Sequence, residues 1–251
     1  MRTTTYVALG DSLAAGVGAT DPGRTGYVPL VHQRLRDAGR GHDRLVNLAV
    51  SGETSASFVA YGQMEAARRV IEDPTADVRL VTLDIGANDL LRLAPLEPCA
   101  SAPQGDACRA TIRQAVAAFE AAYRSILESL LHALERSAPD ARLVVLTYYN
   151  PLSGTADEVE PVAELALLGD DGTLDCDAAQ RSTANRGLND VIACLARDRG
   201  LTVADVHPRF AGRGAGLTLI ERDDVHPNDA GHAVMADAVV DAVLQSAAAD
   251  R

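Results

Sequence analysis

The sequence predicts an α/β protein built on a parallel sheet, and three observations predict it. Short apolar runs rich in β-branched residues recur along the 251 residues. Longer segments with the period of an amphipathic helix separate them. No internal repeat, low-complexity tract or linker interrupts the alternation, so residues 1–251 read as one domain of repeated βα units.

The elements follow in order. Tyr6 to Leu9 reads as the first strand, Val28 to Ala38 as a helix and Arg44 to Val50 as the second strand. A helix over Ala56 to Ile71 leads to the third strand, Val78 to Asp84. The long segment Ala110 to Ser137 carries Val116, Phe119, Tyr123, Ile126, Leu127, Leu130, Leu131 and Leu134 at spacings of three and four, one apolar stripe facing a sheet. Leu143 to Tyr148 is the fourth strand, Ala178 to Arg199 a helix and Leu201 to Val206 the fifth strand. The last helix, Asp229 to about Leu244, opens on Pro227, Asn228 and Asp229. Two irregular excursions, Ala94 to Cys108 and Pro151 to Asp175, follow strand ends, where open parallel sheets place their ligand crevice. They are expected to wall a site.

Composition narrows the function classes. All 23 basic residues are arginine. The missing lysine excludes Schiff-base enzymes, serine-lysine dyads and Walker A phosphate loops. Tryptophan is absent, aromatics are 4% and the net charge is −12, a poor match to nucleic acid. No apolar run approaches the roughly 18 residues of a membrane helix.

Cys99 and Cys108 lie nine positions apart in a Pro- and Gly-containing stretch that a disulfide could close, worth about 2–3 kcal/mol on a chain-entropy argument. Cys176 and Cys194 are 18 apart. An unbroken helix would hold them about 27 Å apart, against a limit near 6.8 Å between linked Cα atoms. They can pair only if the helix starts late, at Gly187 for instance. No cysteine spacing suggests zinc, which favours an oxidising compartment. Met1 to Thr5 leads straight into the first strand without an export signal. An extracellular or periplasmic location with the signal removed is expected, with the cytoplasm as the alternative.

The chemistry sits after the strands. Gly10, Asp11, Ser12 and Leu13 follow the first, Ser51, Gly52, Glu53 and Thr54 the second, and Gly86, Ala87, Asn88 and Asp89 the third. Asp223, Asp224, Val225, His226 and Pro227 follow the fifth. Four loops thus converge on one sheet edge with what acyl transfer through a serine requires. Ser12 needs an imidazole to take its proton, and the imidazole needs an acid to fix its tautomer. His226 can supply the first, and Asp223, three residues before it, the second on one local turn. The Ser12 and Gly52 backbone N–H groups and the Asn88 amide suit an oxyanion hole. A side chain at position 52 would crowd the oxyanion.

These blocks resemble those of the SGNH hydrolases, also called the GDSL family. The Tyr6 to Leu13 segment is similar to their first block, Asn47 to Thr54 to the second, Gly86, Asn88 and Asp89 to the third, and Asp223, His226 and Pro227 to the last. The resemblance spans Tyr6 to about Leu244. It implies a three-layer α/β/α sandwich with a five-stranded parallel sheet of flavodoxin-like topology. It also implies Ser12 as nucleophile, Asp223 and His226 as triad partners, Ser12, Gly52 and Asn88 as oxyanion donors, and no metal or cofactor. The Gly-x-Ser-x-Gly elbow of the α/β-hydrolases, which the family lacks, is absent here too. The end of the fourth strand and the cysteines resemble secreted bacterial lipases and esterases of the family. The expected substrate is a small-molecule or lipid ester of short or medium acyl chain, with thioesters and acetylated carbohydrates as alternatives.

Competing assignments differ residue by residue. Asp224 competes with Asp223 as the acid, and some such sites use a backbone carbonyl instead. Asp-Val-His-Pro also occurs at Asp205 to Pro208, but Ala204 stands three before His207, which reads as a crevice-side loop residue. His232 reads as packing or surface, and His32, His42 and His132 as solvated. Ser12 alone could be a helix cap, and Asn88 a turn residue. Asp11 and Asp89 suit bonds to backbone N–H groups that hold the loops. A rival class is a flavodoxin-like module binding flavin mononucleotide, with the hydroxyl-rich Ser51 to Ser57 as phosphate loop. A phosphorelay receiver needs a lysine the chain lacks, and an inactive scaffold relative would have lost a site residue.

Overall fold

The computed structural model describes residues 2–92, 98–99, 101–103, 105–169, 172, 174, 176 and 186–249. Five strands form where the apolar runs lie: β1 Thr3–Gly10, β2 Arg44–Asn47, β3 Ala76–Asp84, β4 Arg142–Leu146 and β5 Thr202–Ala204. They pair in parallel in the order β2-β1-β3-β4-β5. This is the flavodoxin-like order, and its reversal between β1 and β3 opens a crevice beyond their carboxyl ends. Gly10 pairs with Asp84 in register, so the chain leaves both central strands side by side.

Helices cover both faces, making three layers. α1 Tyr27–Asp37 packs on α10 Asp229–Ala249 on one side. α3 Gln63–Ile71, α5 Asp106–Ser137 and α7 Leu188–Arg197 form the other. Burial on two faces explains why Tyr6, Val7, Ala8 and Leu9 are consecutive apolar residues with no exposure at all. The predicted stripe of α5 is buried at Val116, Phe119, Tyr123, Ile126, Leu127, Leu130 and Leu134, while Leu131 sits at its edge.

Two helices differ from expectation. The helix over Ala56 to Ile71 is two, α2 Ser55–Ala60 and α3, broken at Gly62 with φ of +100°. That left-handed conformation suits glycine. The late start required for a second disulfide is observed: α7 begins after Gly187, and Cys176 and Cys194 are bonded with Cα atoms 5.1 Å apart. Residues 178–185 of the helix read from Ala178 lie outside the described residues. A side chain at Gly187 would fall 2.3 Å from the Leu167 carbonyl, so glycine lets α7 enter against α6 Glu160–Leu168.

The second excursion is built around α6. Of the first, 94–97, 100 and 104 lie outside the described residues, and Cys99 and Cys108 are bonded. α4 Ala87–Leu91 follows β3. The fourth block does not leave β5 directly. After β5 come α8 His207–Phe210, α9 Gly214–Leu217 and an antiparallel ribbon of β6 Thr218–Leu219 and β7 Asp224–Pro227.

Candidate active site

β1 ends on a position only glycine can fill. Gly10 has φ of +147°, and a Cβ there would lie 1.8 Å from the Asp84 carboxylate. The Gln63 amide accepts from Gly10 N–H at 2.7 Å and donates to its carbonyl at 3.0 Å, tying β1 to α3. The chain then turns rather than entering a helix, with Val17 N–H donating to the Ser12 carbonyl at 2.9 Å. Ser12 caps nothing. Its buried hydroxyl lies 2.9 Å from His226 Nε2.

The acid beside His226 is Asp224, which corrects Asp223. Asp224 Oδ1 lies 2.5 Å from His226 Nδ1 and also accepts the His226 backbone N–H at 3.0 Å. The three-residue spacing presumed a helical turn, but the segment is strand β7. Side chains two apart share a face of a strand, and those three apart do not. Asp223 instead ends a 3-10 turn over Ile220–Arg222 with φ of +59°, exposed to solvent. A carboxylate only accepts, so Nδ1 carries the proton and Nε2 is left to accept from Ser12. Burial acts to raise the Asp224 carboxyl, but the His226 hydrogen bonds and charge outweigh it and hold it below the usual range.

Asn88, at the start of α4, donates its amide to the Glu53 carbonyl at 2.9 Å, which orients it toward the loop after β2. Gly52 has φ of +80°, and a Cβ would meet nothing within 4 Å. Backbone conformation, not crowding by protein atoms, calls for glycine here. Asp89 accepts from the Ser55 N–H at 2.9 Å and hydroxyl at 2.6 Å, clamping the loops after β2 and β3 together. Thr54 and Ser57 satisfy each other in a capping box on α2, and the Ser57 hydroxyl reaches Glu53. The Thr54, Ser55 and Ser57 hydroxyls proposed to cradle phosphate are engaged inside the loop beside the Glu53 and Asp89 carboxylates, which disfavours the flavin module.

Beneath Ser12 lie two buried carboxyls. Asp11 accepts from Leu13 N–H at 2.9 Å and the Tyr148 hydroxyl at 2.8 Å. Asp84 accepts from Ala14 N–H at 3.1 Å and the Tyr27 hydroxyl at 3.0 Å. Burial pushes Asp11 up to about 6, against the opposing effect of its hydrogen bonds and of His226. Burial and the neighbouring Asp11 charge raise Asp84 well above its ordinary range. Nothing in the sequence pattern marked Gln63, and the end of the fourth strand stood out only by resemblance, because the contacts of Gln63 with Gly10, of Tyr148 with Asp11 and of Tyr149 with Val225 span 53, 137 and 76 residues. Tyr149 donates to the Val225 carbonyl at 2.9 Å and stacks on Phe210, supporting β7 from below.

Ser12, Asn88 and His226 open into a cavity of about 470 Å³. Leu90, Ile112, Val162, Leu167 and Leu188 make its wall aliphatic, and Cys99, Pro103 and Pro151 show both excursions contributing. His207 does not line it. Its Nε2 lies 3.0 Å from Glu164 on α6. His232 is fully buried, and His42 is buried rather than solvated, with its carbonyl 2.8 Å from His32 Nε2. Among the described residues no group of three or more metal-binding side chains gathers, and no helix is long and apolar enough to cross a membrane.

Comparison with known proteins bears on this geometry. The model of the GDSL-like Lipase/Acylhydrolase family matches residues 8–234. A lipase of Streptomyces rimosus is 26% identical over 243 residues, covering 90% of this chain and 82% of its own. The crystal structure of an extracellular lipase from Streptomyces rimosus superposes with a TM-score of 0.59 at 27% identity, covering 96% of this chain and 99% of that one. That of a lipase from a goat rumen metagenome gives 0.63 at 22% identity, covering 96% and 97%.

Proposed function

The chain belongs to the GDSL-like lipase/acylhydrolase family and is a carboxylic ester hydrolase, and from that premise we propose that it cleaves short to medium-chain acyl esters through Ser12, His226 and Asp224. The observation that carries this reading is the chain of contacts from Asp224 through His226 to Ser12 at the mouth of an aliphatic cavity. His226 Nε2 takes the hydroxyl proton as Ser12 Oγ attacks the ester carbonyl. Asp224, holding Nδ1–H, stabilises the imidazolium that forms. The Ser12 and Gly52 N–H groups and the Asn88 amide receive the negative oxygen, each worth about 3–4 kcal/mol. Collapse of the tetrahedral adduct expels the alcohol with the proton from His226. Water, deprotonated by His226, then attacks the acyl-serine and releases the acid.

The aliphatic lining supports an acyl chain rather than a sugar, whose hydroxyls would find few partners there. Two disulfides and the extracellular lipase among the similar structures support secretion. The test is turnover of nitrophenyl esters of increasing acyl length by the parent and Ser12→Ala, with fluorophosphonate labelling of Ser12. The expected result is labelling of the parent alone and a loss of at least about 10³-fold in kcat on Ser12→Ala. Parent-like turnover by Ser12→Ala would overturn the mechanism.

A further inference from the structure

Taking the Ser12–His226 reading as its basis, we propose that His232 is a positioning residue that sets the distance between nucleophile and base. Ser12 stands at the head of a loop, residues 12–26, and His226 just before α10. Nothing covalent near the site joins the two, so their 2.9 Å contact depends on how the loop is fastened to the helix.

His232 makes that fastening from a fully buried position at the end of the first turn of α10. Its Nε2 lies 3.0 Å from the Val17 carbonyl, and its Nδ1 accepts the Tyr27 N–H at 3.3 Å. One nitrogen must donate and the other accept, which is the neutral imidazole. Burial favours the same form, holding the group below the usual histidine range. Val17 is in turn bonded to Ser12, its N–H donating to the Ser12 carbonyl at 2.9 Å. His232 therefore grips the loop one hydrogen bond from the nucleophile, six residues along the chain from the base.

The rest of the loop is fitted to the same helix end. At Gly18, φ is +92°, and a Cβ would lie 2.2 Å from the Pro227 carbonyl and 3.0 Å from His226 Cβ, so the loop rests on the backbone carrying the base. Asp229 accepts from Thr20 N–H at 2.8 Å, the Thr20 hydroxyl at 2.6 Å and the Thr25 hydroxyl at 2.7 Å. A residue that merely filled the core would not need one ring nitrogen directed at the Val17 carbonyl within the loop and the other at the N–H of Tyr27, where the loop passes into α1.

The test compares His232→Phe, which keeps a ring and loses both bonds, with His232→Gln, which keeps a donor and an acceptor. Thr25→Val removes one hydroxyl from the same clasp and serves if His232→Phe fails to fold. Folding is checked by circular dichroism, and kcat, KM and the rate of Ser12 labelling by a fluorophosphonate are measured well below Tm. A displacement of about 1 Å at a reacting pair costs about 10²-fold. The expected result is a 10- to 100-fold fall in kcat and in labelling for His232→Phe, with KM within about twofold, and substantial recovery in His232→Gln. Thr25→Val is expected to lose several-fold in the same two quantities. A folded His232→Phe with parent kcat and labelling would overturn the proposal, as would parent values for Thr25→Val where His232→Phe does not fold. Ser12→Ala in the same assay separates the two failures. If it retains turnover the triad falls, and if it is inactive while His232→Phe matches the parent only the clasp falls.

Discussion

At the residue scale the sharpest outcome concerns two adjacent aspartates. Both lie within reach of His226 in the sequence, and only the backbone decides between them. A helical turn would bring Asp223 to the ring, whereas β7 brings Asp224. Asp224→Asn keeps the shape, removes the carboxylate and allows the amide to donate to Nδ1, which favours the wrong imidazole tautomer. It is expected to lower kcat about 10²- to 10³-fold with little change in KM. Asp223→Asn, on an exposed turn, is expected to stay within about twofold of the parent. Steady-state kinetics of the two variants decide it, and the reverse order would return the role to Asp223. Ser12, Gly52 and Asn88 could be proposed from the sequence because glycine, serine and asparagine directly after strands are informative locally. The contacts of His232, Gln63 and Tyr148 could not be read this way, since each is made with a partner far along the chain.

At the scale of elements, strands were legible because a doubly covered sheet demands uninterrupted apolar runs. The break between α2 and α3 was not, since one Gly62 inside a helical pattern can be tolerated or can end the helix. β7 escaped notice because four residues are too few to display a period. The ends of β1 and β3, the segment after β4 and the start of α1 meet at the Asp11, Asp84, Tyr148 and Tyr27 cluster, which makes their docking sensitive to pH. Asp11 in the folded protein titrates at about 6, above its ordinary 3.8. The folded state then binds a proton that the unfolded state has released, and stability falls as pH rises through that window. Its favourable contribution is complete below about pH 4 and lost above about pH 6. Asp11→Asn removes the titration. The Tm of the parent minus that of Asp11→Asn is therefore expected to increase as pH is lowered from 7 to 4.5. A difference that stays constant or shrinks would contradict the assignment.

At the scale of the whole molecule, the lack of lysine leaves imidazole as the available neutral-pH base for the proposed nucleophile Ser12, and the imidazole that lies beside it is His226. The net charge of −12 says less, because the cavity wall contains almost no charge to express it. What the sequence could not convey is that α4, α5, α6 and α7, drawn from over 100 residues of chain, enclose one aliphatic space. On the proposed function, that enclosure makes acyl length a property of the assembled layers rather than of any motif. Ala166 on α6 lines the cavity, and leucine there adds volume inside it while remaining a good helix former. Each methylene that a longer acyl chain can no longer bury costs about 0.8 kcal/mol, or about fourfold in kcat/KM. Ala166→Leu is therefore expected to leave the acetyl ester within about twofold of the parent and to depress kcat/KM progressively for longer nitrophenyl esters, moving the optimum to shorter chains. If all chain lengths fell by the same factor, or none changed, the acyl group would have to lie elsewhere than in this cavity.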